Sequence, residues 1–568
     1  MATKSLREKL LFVWLLIAAG FLIPQQSPVK AKYPLTPAFV EPGLKELASS
    51  KSAMVVSPHP FATNAGLEML RRGGNAMDAA TAAMMTMAIM EWNISLAGGH
   101  QLTYYDAKNN RTICINADCH SFKEDVMPYD SAVDNVTGRS ILVPGVFAGF
   151  YLAQKKYGAL PWKEVFEPAI FYTENGIPFH NRAYRRMWES YQSLTLSPSA
   201  RLIFAPNGFL PGVGEIFKQP ELAETLKKIA EQGPDYFYKG PFAEKMVNAI
   251  REVGGKPTLE DFSSYQALEL EPLKGTYKDF QIMGPPLPGT AAVTIIEGMN
   301  ILENVDLKGM GHYTQSADSL QWVVETLRVI FDDAGKFSGV PEFDNALGNI
   351  LISKDYAKTR YSLIQSIIEQ TKREAKRSNP TSQTPLSRVE QDEEVGTEHV
   401  STVDKDGNIC SITNSIFGPQ PMPVGLFVGG IAFNCSGGFR RQPGGRMVSP
   451  LAPMIVFKGE KPFFATGSTG GTLNTFIAIL NILAWDKDFK EAQEAPRFQN
   501  PARNSNQIRI ENRLDSKIAE ELKKRGYRMD WAAPYSMAGV QIAGIDPKTG
   551  IRYGAAEPRN MGKAEGLK

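Results

Sequence analysis

A glycine–threonine pair, Gly396-Thr397, stands where a polar stretch gives way to an alternating, β-type run. A threonine hydroxyl is a weak nucleophile unless a base sits beside it. If the peptide bond before Thr397 is cut, the freed α-amine supplies that base, with an unperturbed pKa of about 7.7–8.0. The β-branched side chain restricts χ1 and helps to fix the hydroxyl. Gly396 leaves room for attack on the bond and tolerates a strained backbone. An ordinary threonine at a strand start has the same local sequence, so the pair does not decide the matter alone.

Two further segments carry groups such a nucleophile needs. The loop Gly467-Ser468-Thr469-Gly470-Gly471-Thr472 places two glycines, Gly470 and Gly471, at a strand-to-helix turn. Backbone N–H groups exposed there suit an oxyanion or a phosphate. The loop lacks the lysine of a P-loop and the spacing of a dinucleotide fingerprint, so nucleotide binding has little support. A tight turn needing φ > 0 accounts for the same glycines. Thr413-Asn414-Ser415 ends the strand that returns beside Thr397. Its side chains are candidates to hydrogen-bond the hydroxyl, and turn chemistry before Phe417-Gly418 is the alternative.

The elements that must position these groups are legible in the pattern. Pro60 to Arg72 has helical spacing and stops at Gly73-Gly74. Asn75 caps a second helix, Ala76 to Met90, apolar almost all round and therefore buried. Strand-like runs follow at Leu102–Tyr105 and Thr112–Ile115 around an Asn109-Asn110 turn. Residues 150–375 read as mainly helical, with a rigid loop at 284–290 whose Thr290 is expected to cap the next helix. The stretch 375–396 is polar and Pro-containing and reads as a linker. After it, Glu398–Val403 and Ile409–Ile412 form a hairpin about Asp406-Gly407. Strands at Met454–Phe457 and Phe463–Thr466 lead through the glycine loop to a helix at Leu473–Trp485.

Composition bounds the rest. In 568 residues, 62 basic and 60 acidic side chains leave a net charge of +2, with no basic stripe, which sets nucleic-acid binding aside. The histidines (His59, His100, His120, His180, His312, His399) are scattered, and there is neither CxxC nor HExxH, which argues against a metal site; no cofactor is implied. Cys114, Cys119, Cys410 and Cys435 are too few for a disulfide scaffold, and their pairing is left open. Lys4, Arg7 and Lys9, the apolar run Leu10–Ile23, and Val29 and Ala31 read as an export signal over residues 1–31. The mature chain is expected to begin near Lys32, in the periplasm or outside the cell; an uncleaved N-terminal anchor is the alternative.

Together these segments resemble the gamma-glutamyltranspeptidase family of N-terminal-nucleophile hydrolases. The resemblance runs from about Met54 to Pro558. It rests on the run at 73–80, Val143-Pro144-Gly145, Gly233-Pro234-Asp235 with Phe237-Tyr238-Lys239-Gly240, and the loop at 284–290. It continues through Thr397-Glu398-His399-Val400-Ser401, Asp404-Lys405-Asp406-Gly407-Asn408, Gly467-Ser468-Thr469-Gly470-Gly471 and Ala495-Pro496-Arg497-Phe498. It implies an α/β fold, a four-layer αββα sandwich. It also implies a precursor that cuts itself into a large subunit (32–396) and a small one (397–568), which stay together as one domain. Thr397 is then the nucleophile, Gly470 and Gly471 the oxyanion hole, and Ser415 the hydroxyl that hydrogen-bonds Thr397. The implied reaction is hydrolysis or transfer of γ-glutamyl groups from glutathione-like peptides, to water or to an amino-acid or peptide acceptor.

The substrate pocket departs from the family pattern. The family grips the glutamyl α-carboxylate with an arginine; the matching stretch is Asn116-Ala117-Asp118-Cys119-His120. It grips the α-amine with an acid; the matching stretch is Asn434-Cys435-Ser436-Gly437-Gly438-Phe439. A serine pair is reduced to Ser449-Pro450. Ser449, Thr413, Ser436 and Asn414 are the expected substrate-binding residues, Asn414 as a substitute for an asparagine that does not align. Arg440, Arg441 and Arg446 are candidates to bind a carboxylate from another direction, with solvated surface arginines as the alternative. The departures keep open a related acylase with a different acyl group and a non-catalytic binding relative.

Overall fold

The computed structural model describes residues 43–90, 95–375, 396–418, 424–439, 442–499 and 506–567. The expected export signal, nearly all of the linker, and Arg440 and Arg441 lie outside the described residues.

Two seven-stranded sheets face each other. From edge to edge, the first runs Lys563–Gly566, Met54–Ser57, Thr397–Val403, Ile409–Ser415, Gly99–Asp106, Arg111–Ala117 and Leu268–Leu270. The second runs Ala48–Ser50, Arg552–Ala555, Val540–Ile545, Lys461–Ser468, Met454–Lys458, Phe280–Gly284 and Leu273–Tyr277. Helices Pro60–Arg71 and Ala76–Met90 cover the outer face of the first sheet, and Ala291–Leu302 and Gly471–Trp485 that of the second. The order of layers is therefore αββα, as expected.

The sequence explains the central elements. All fifteen residues of Ala76–Met90 are buried, as its apolar circumference requires. Asn75 Oδ1 caps it by accepting from the N–H groups of Met77 and Asp78, at 3.0 and 3.2 Å. Asp404 ties this helix to the hairpin. Its Oδ2 accepts from the Ala76 N–H at 2.9 Å, and its Oδ1 from the N–H groups of Asp406 and Asn408 at 2.9 and 3.0 Å. Gly407, with φ +88°, closes the turn. Two of the matched motifs thus meet in one contact.

Alternation in Thr397–Val403 sends residues 397, 399, 401 and 403 to the space between the sheets. That space is apolar at the end holding Val403, Ile409, Tyr105, Met283 and Ile455. It becomes polar toward Thr397, where His399, Ser401, Ser411, Thr413 and Ser415 are all buried.

Three expectations need correction. Residues 268–284 form three strands inside the stretch read as helical; their hydrophobic pattern is short and half-buried, and sheet pairing rather than periodicity fixes them. The helix expected at Leu473 begins at Gly471, so the glycine loop is the helix start itself. Thr290 sits at its N-cap position but makes no side-chain cap, because its hydroxyl donates to the Ser449 carbonyl at 3.3 Å instead. The four cysteines are all buried and unpaired.

Candidate active site

Thr397 begins its strand in full antiparallel register with the neighbouring one: Thr397 pairs with Ser415, His399 with Thr413 and Ser401 with Ser411. Residues directly opposite share a face. The Thr397 and Ser415 hydroxyls are accordingly 2.8 Å apart. The Gly396 carbonyl, on the bond before Thr397, is gripped twice. Ser415 Oγ donates to Gly396 O at 2.6 Å and the Ile416 N–H at 2.9 Å. Two donors on one carbonyl polarise it as an oxyanion site does.

One step deeper, His399 Nδ1 is 2.8 Å from Thr413 Oγ1 and Nε2 is 2.8 Å from Ser401 Oγ. Burial pushes this imidazole down to about 3, so it is neutral at ordinary pH. Its ring fills the space a Cβ on Gly467 would need: the ideal Cβ lies only 2.3 Å from Nδ1. Gly467 thus lets the second sheet close over His399. Ser411 Oγ donates to Thr466 O at 3.2 Å, so walking from Ser401 to Thr397 on one sheet follows 466 toward 470 on the other. The glycine loop stands at the Thr397 end.

That loop is built around unspent donors. Gly471, at φ +61°, opens the helix, and Ser468 Oγ and Thr475 Oγ1 both donate to its carbonyl, at 2.6 and 3.1 Å. Among the described residues neither the Gly470 nor the Gly471 N–H has a hydrogen-bond partner. The first N–H groups of any helix are free for a ligand.

The remaining expected residues separate. Thr413 faces the inter-sheet space but is occupied by His399 rather than touching Thr397. Asn414 is a correction: it pairs with Glu398 and His100 across the sheet, so the strand alternation turns it to the helix-covered face, away from Thr397. Ser436 is buried beside the segment after Ser415, donating to Ile416 O at 3.3 Å. Ser449 is buried, and its backbone is tied to the rigid loop through Thr290 N–H at 2.9 Å. Arg446 is a second correction. Its guanidinium donates to Asn116 Oδ1, Asp118 O, Tyr265 Oη and Gln266 O at 3.2, 3.0, 3.0 and 2.6 Å. It ties the 116–118 segment to 265–266 rather than standing spare for a carboxylate.

Sequence reasoning passed over Gln101 and the acid at Asp118. Gln101 pairs with Thr413 on one side and Asn116 on the other, so it shares the face of Thr397. Its Nε2 donates to Asp118 Oδ2 at 2.5 Å, which fixes Asp118 on that face too. The available signal was the alternation of residues 99–105 against 397–403. Two clefts of about 740 and 830 Å3, lined by residues such as Phe242 and Leu196, do not reach Thr397, which is only 5% exposed.

Residues 62–567 match the family model described as gamma-glutamyltranspeptidase. Over 549 residues the chain is 30% identical to the glutathione hydrolase proenzyme of Escherichia coli (strain K12), covering 90% of this chain and 91% of that one. It is 28% identical to the acylase ACY 1 proenzyme of Pseudomonas sp. (strain SE83), over 90% and 93% of the two chains. The structure of a cephalosporin acylase from Bacillus halodurans superposes with a TM-score of 0.78 at 24% identity, covering 94% of this chain and 99% of that one.

Proposed function

Because the chain belongs to the gamma-glutamyltranspeptidase family, we propose that it is a self-processing γ-glutamyltransferase or hydrolase whose nucleophile is Thr397. The observation that carries the reading is the contact of Ser415 with both Thr397 Oγ1 and the Gly396 carbonyl.

In the precursor, Thr397 Oγ attacks the Gly396 carbonyl carbon. Ser415 O–H and Ile416 N–H hold the oxygen as it gains charge. The C–N bond breaks, the nitrogen takes the hydroxyl proton, and an ester remains, which water hydrolyses. The products are a chain ending at Gly396 and one beginning at Thr397, with a free α-amine. Both remain in one αββα unit.

In the cleaved enzyme that amine is the base. It takes the Thr397 proton as the oxygen attacks the acyl donor, then passes it to the leaving amine. Gly470 and Gly471 N–H groups receive the oxyanion. Water or an amino-acid or peptide acceptor releases the acyl group from Thr397. Glutathione-like peptides are the proposed donors, which places the enzyme in glutathione breakdown. The N-terminal signal-like segment supports export to the periplasm or beyond, and no helix among the described residues is long and apolar enough to cross a membrane.

A second reading, an acylase with a different acyl group, is favoured by one observation: the stretch at 116–120 presents a buried acid, Asp118, to the site. A denaturing gel tests the main reading. The wild-type chain is expected as two pieces meeting at 396/397 and Thr397→Ala as one. An uncut wild-type chain that releases no amine from a γ-glutamyl anilide would overturn it.

A further inference from the structure

Asp118 stands in the same cross-strand row as the nucleophile. Thr397 pairs with Ser415 and Ser415 with Gly99; His100 pairs with Ala117, so the next residue, Asp118, lies beside Gly99. A Cβ on Gly99 would come within 3.1 Å of the Asp118 Cα. Three ladder spacings of about 4.8 Å put Thr397 and Asp118 about 14 Å apart at Cα, with both side chains on one face.

The polar atoms around Asp118 are not all engaged. Asp118, Gln101 and Ser449 are all 0% exposed. Gln101 spends its Nε2 on Asp118 Oδ2. Asp118 Oδ1 and Gln101 Oε1 are then buried acceptors with no hydrogen-bond partner, and the donors left beside them are Asn116 Nδ2 and the Ser449 hydroxyl proton. Arg446 reaches the Asp118 backbone oxygen and not its carboxylate. Buried acceptors without donors cost free energy unless something fills them. Burial pushes the Asp118 carboxyl up to about 7, against the opposing pull of the Gln101 amide, the Arg446 guanidinium, the Ser449 hydroxyl and the Asn116 amide. A cation arriving there would hold it ionised.

We propose that Asp118 and Gln101, backed by Ser449, form an acceptor subsite that holds a protonated amine at the far end of the acyl chain. The proposal rests on the acyl-transfer reading of Thr397 and names its specificity: the acyl group is recognised through a cationic donor, and a carboxylate in the same place is repelled. Asp118 is a specificity-determining residue of the cleaved enzyme, since the Gly396 end still lies against Ile416 and Gly418 in the precursor.

The test uses the full-length, self-processed protein and two para-nitroanilides, omega-aminopentanoyl and glutaryl, with pentanoyl as the neutral reference. The aminopentanoyl compound is expected to exceed the glutaryl one in kcat/KM by about tenfold or more, the scale of one charge-assisted hydrogen bond. Asp118→Asn is expected to bring the two within about threefold of each other. A wild-type enzyme that prefers glutaryl or treats both alike overturns the proposal, as does an Asp118→Asn enzyme that keeps the wild-type ratio. If Asp118→Asn fails to fold, the wild-type ratio alone decides. A chain that neither splits nor releases nitroaniline overturns the Thr397 reading instead. Calorimetry with n-butylammonium and butanoate then decides Asp118, with equal or butanoate-favoured binding counting against it.

Discussion

The hydroxyls of Thr397 and Ser415 lie 2.8 Å apart, and only one direction of hydrogen bonding suits both. Ser415 donates its proton to the Gly396 carbonyl at 2.6 Å, and its oxygen accepts from the Phe417 N–H at 2.9 Å. Thr397 is therefore the donor toward Ser415. Its proton points away from the scissile bond and its lone pairs are left for attack. On the proposed reading, Ser415 is the pivot of self-cleavage: it orients the nucleophile and polarises the target.

Removing that pivot should slow processing. Ser415→Ala is expected to retard conversion to the two pieces by about a hundredfold, the loss that accompanies removal of one oxyanion donor. Ser415→Thr should retain most of the rate. Band intensities on a denaturing gel over time measure both, and wild-type kinetics in Ser415→Ala would refute the role.

Substitution of the nucleophile separates cleavage from folding. Thr397→Ala should remain one chain with far-UV circular dichroism like that of the wild type. Thr397→Ser should split more slowly, since a primary hydroxyl keeps the chemistry but loses the χ1 restriction of the β-branched side chain.

The two loop glycines should respond differently. A Cβ on Gly470 would come 2.7 Å from Ala538 Cβ, whereas Gly471 has space and only its φ of +61° to protect. Gly471→Ala should cost about 1–2 kcal/mol of stability through strain at that φ, together with a fall in anilide hydrolysis. Gly470→Ala should cost more in both, because both Asn474 and Ala538 must move. Urea melts and initial rates on the same preparations test the ranking.

Arg446 ties the 116–118 segment to 265–266 and should report as a stability residue. Arg446→Ala is expected to lose about 1.5–3 kcal/mol. Lysine should restore little, since one ammonium cannot reproduce a fork that reaches four acceptors. A variant with unchanged stability and a selectively raised KM would return Arg446 to the role of a substrate binder.

Stability should fall in mild acid. Burial pushes His399 and His100 down to about 3 in the folded chain, against about 6.5 unfolded. Below that upper value the unfolded chain takes up protons that the folded one refuses. Stability contributed by the neutral histidines is therefore full above about 6.5 and is lost as pH falls toward 3, by about 1.4 kcal/mol per pH unit for each. Denaturant melts between pH 7 and 4 measure the slope, and His399→Gln should flatten it by about half of this two-histidine contribution.

Much of this was readable in the residues. The buried helix at 76–90, the hairpin from Thr397 and the glycine loop all carry strong local signals: apolar circumference, strict alternation with an Asp-Gly turn, and paired glycines before an apolar run. Asn414 was misplaced because its chemistry was read without its parity. In a strand, one step along the chain reverses the face, and only register with Glu398 and His100 shows which face that is. Arg446 looked available because its acceptors at 116–118 and 265–266 are remote in sequence. Asp118 was visible as the absence of an arginine, but its meaning depends on Gln101, which only the sheet brings beside it.

The position of Thr397–Val403 in its sheet has a consequence for the cleaved protein. That strand lies between Met54–Ser57 and Ile409–Ser415, and both sheets interleave strands from before and after residue 397. After the cut, neither piece keeps a complete sheet by itself, and the covalent link that guided assembly is gone. Unfolding of the mature enzyme should thus be a one-way event, its endurance a lifetime set by the barrier to unzipping rather than an equilibrium constant. The uncut Thr397→Ala chain should refold after dilution from denaturant where the processed enzyme does not.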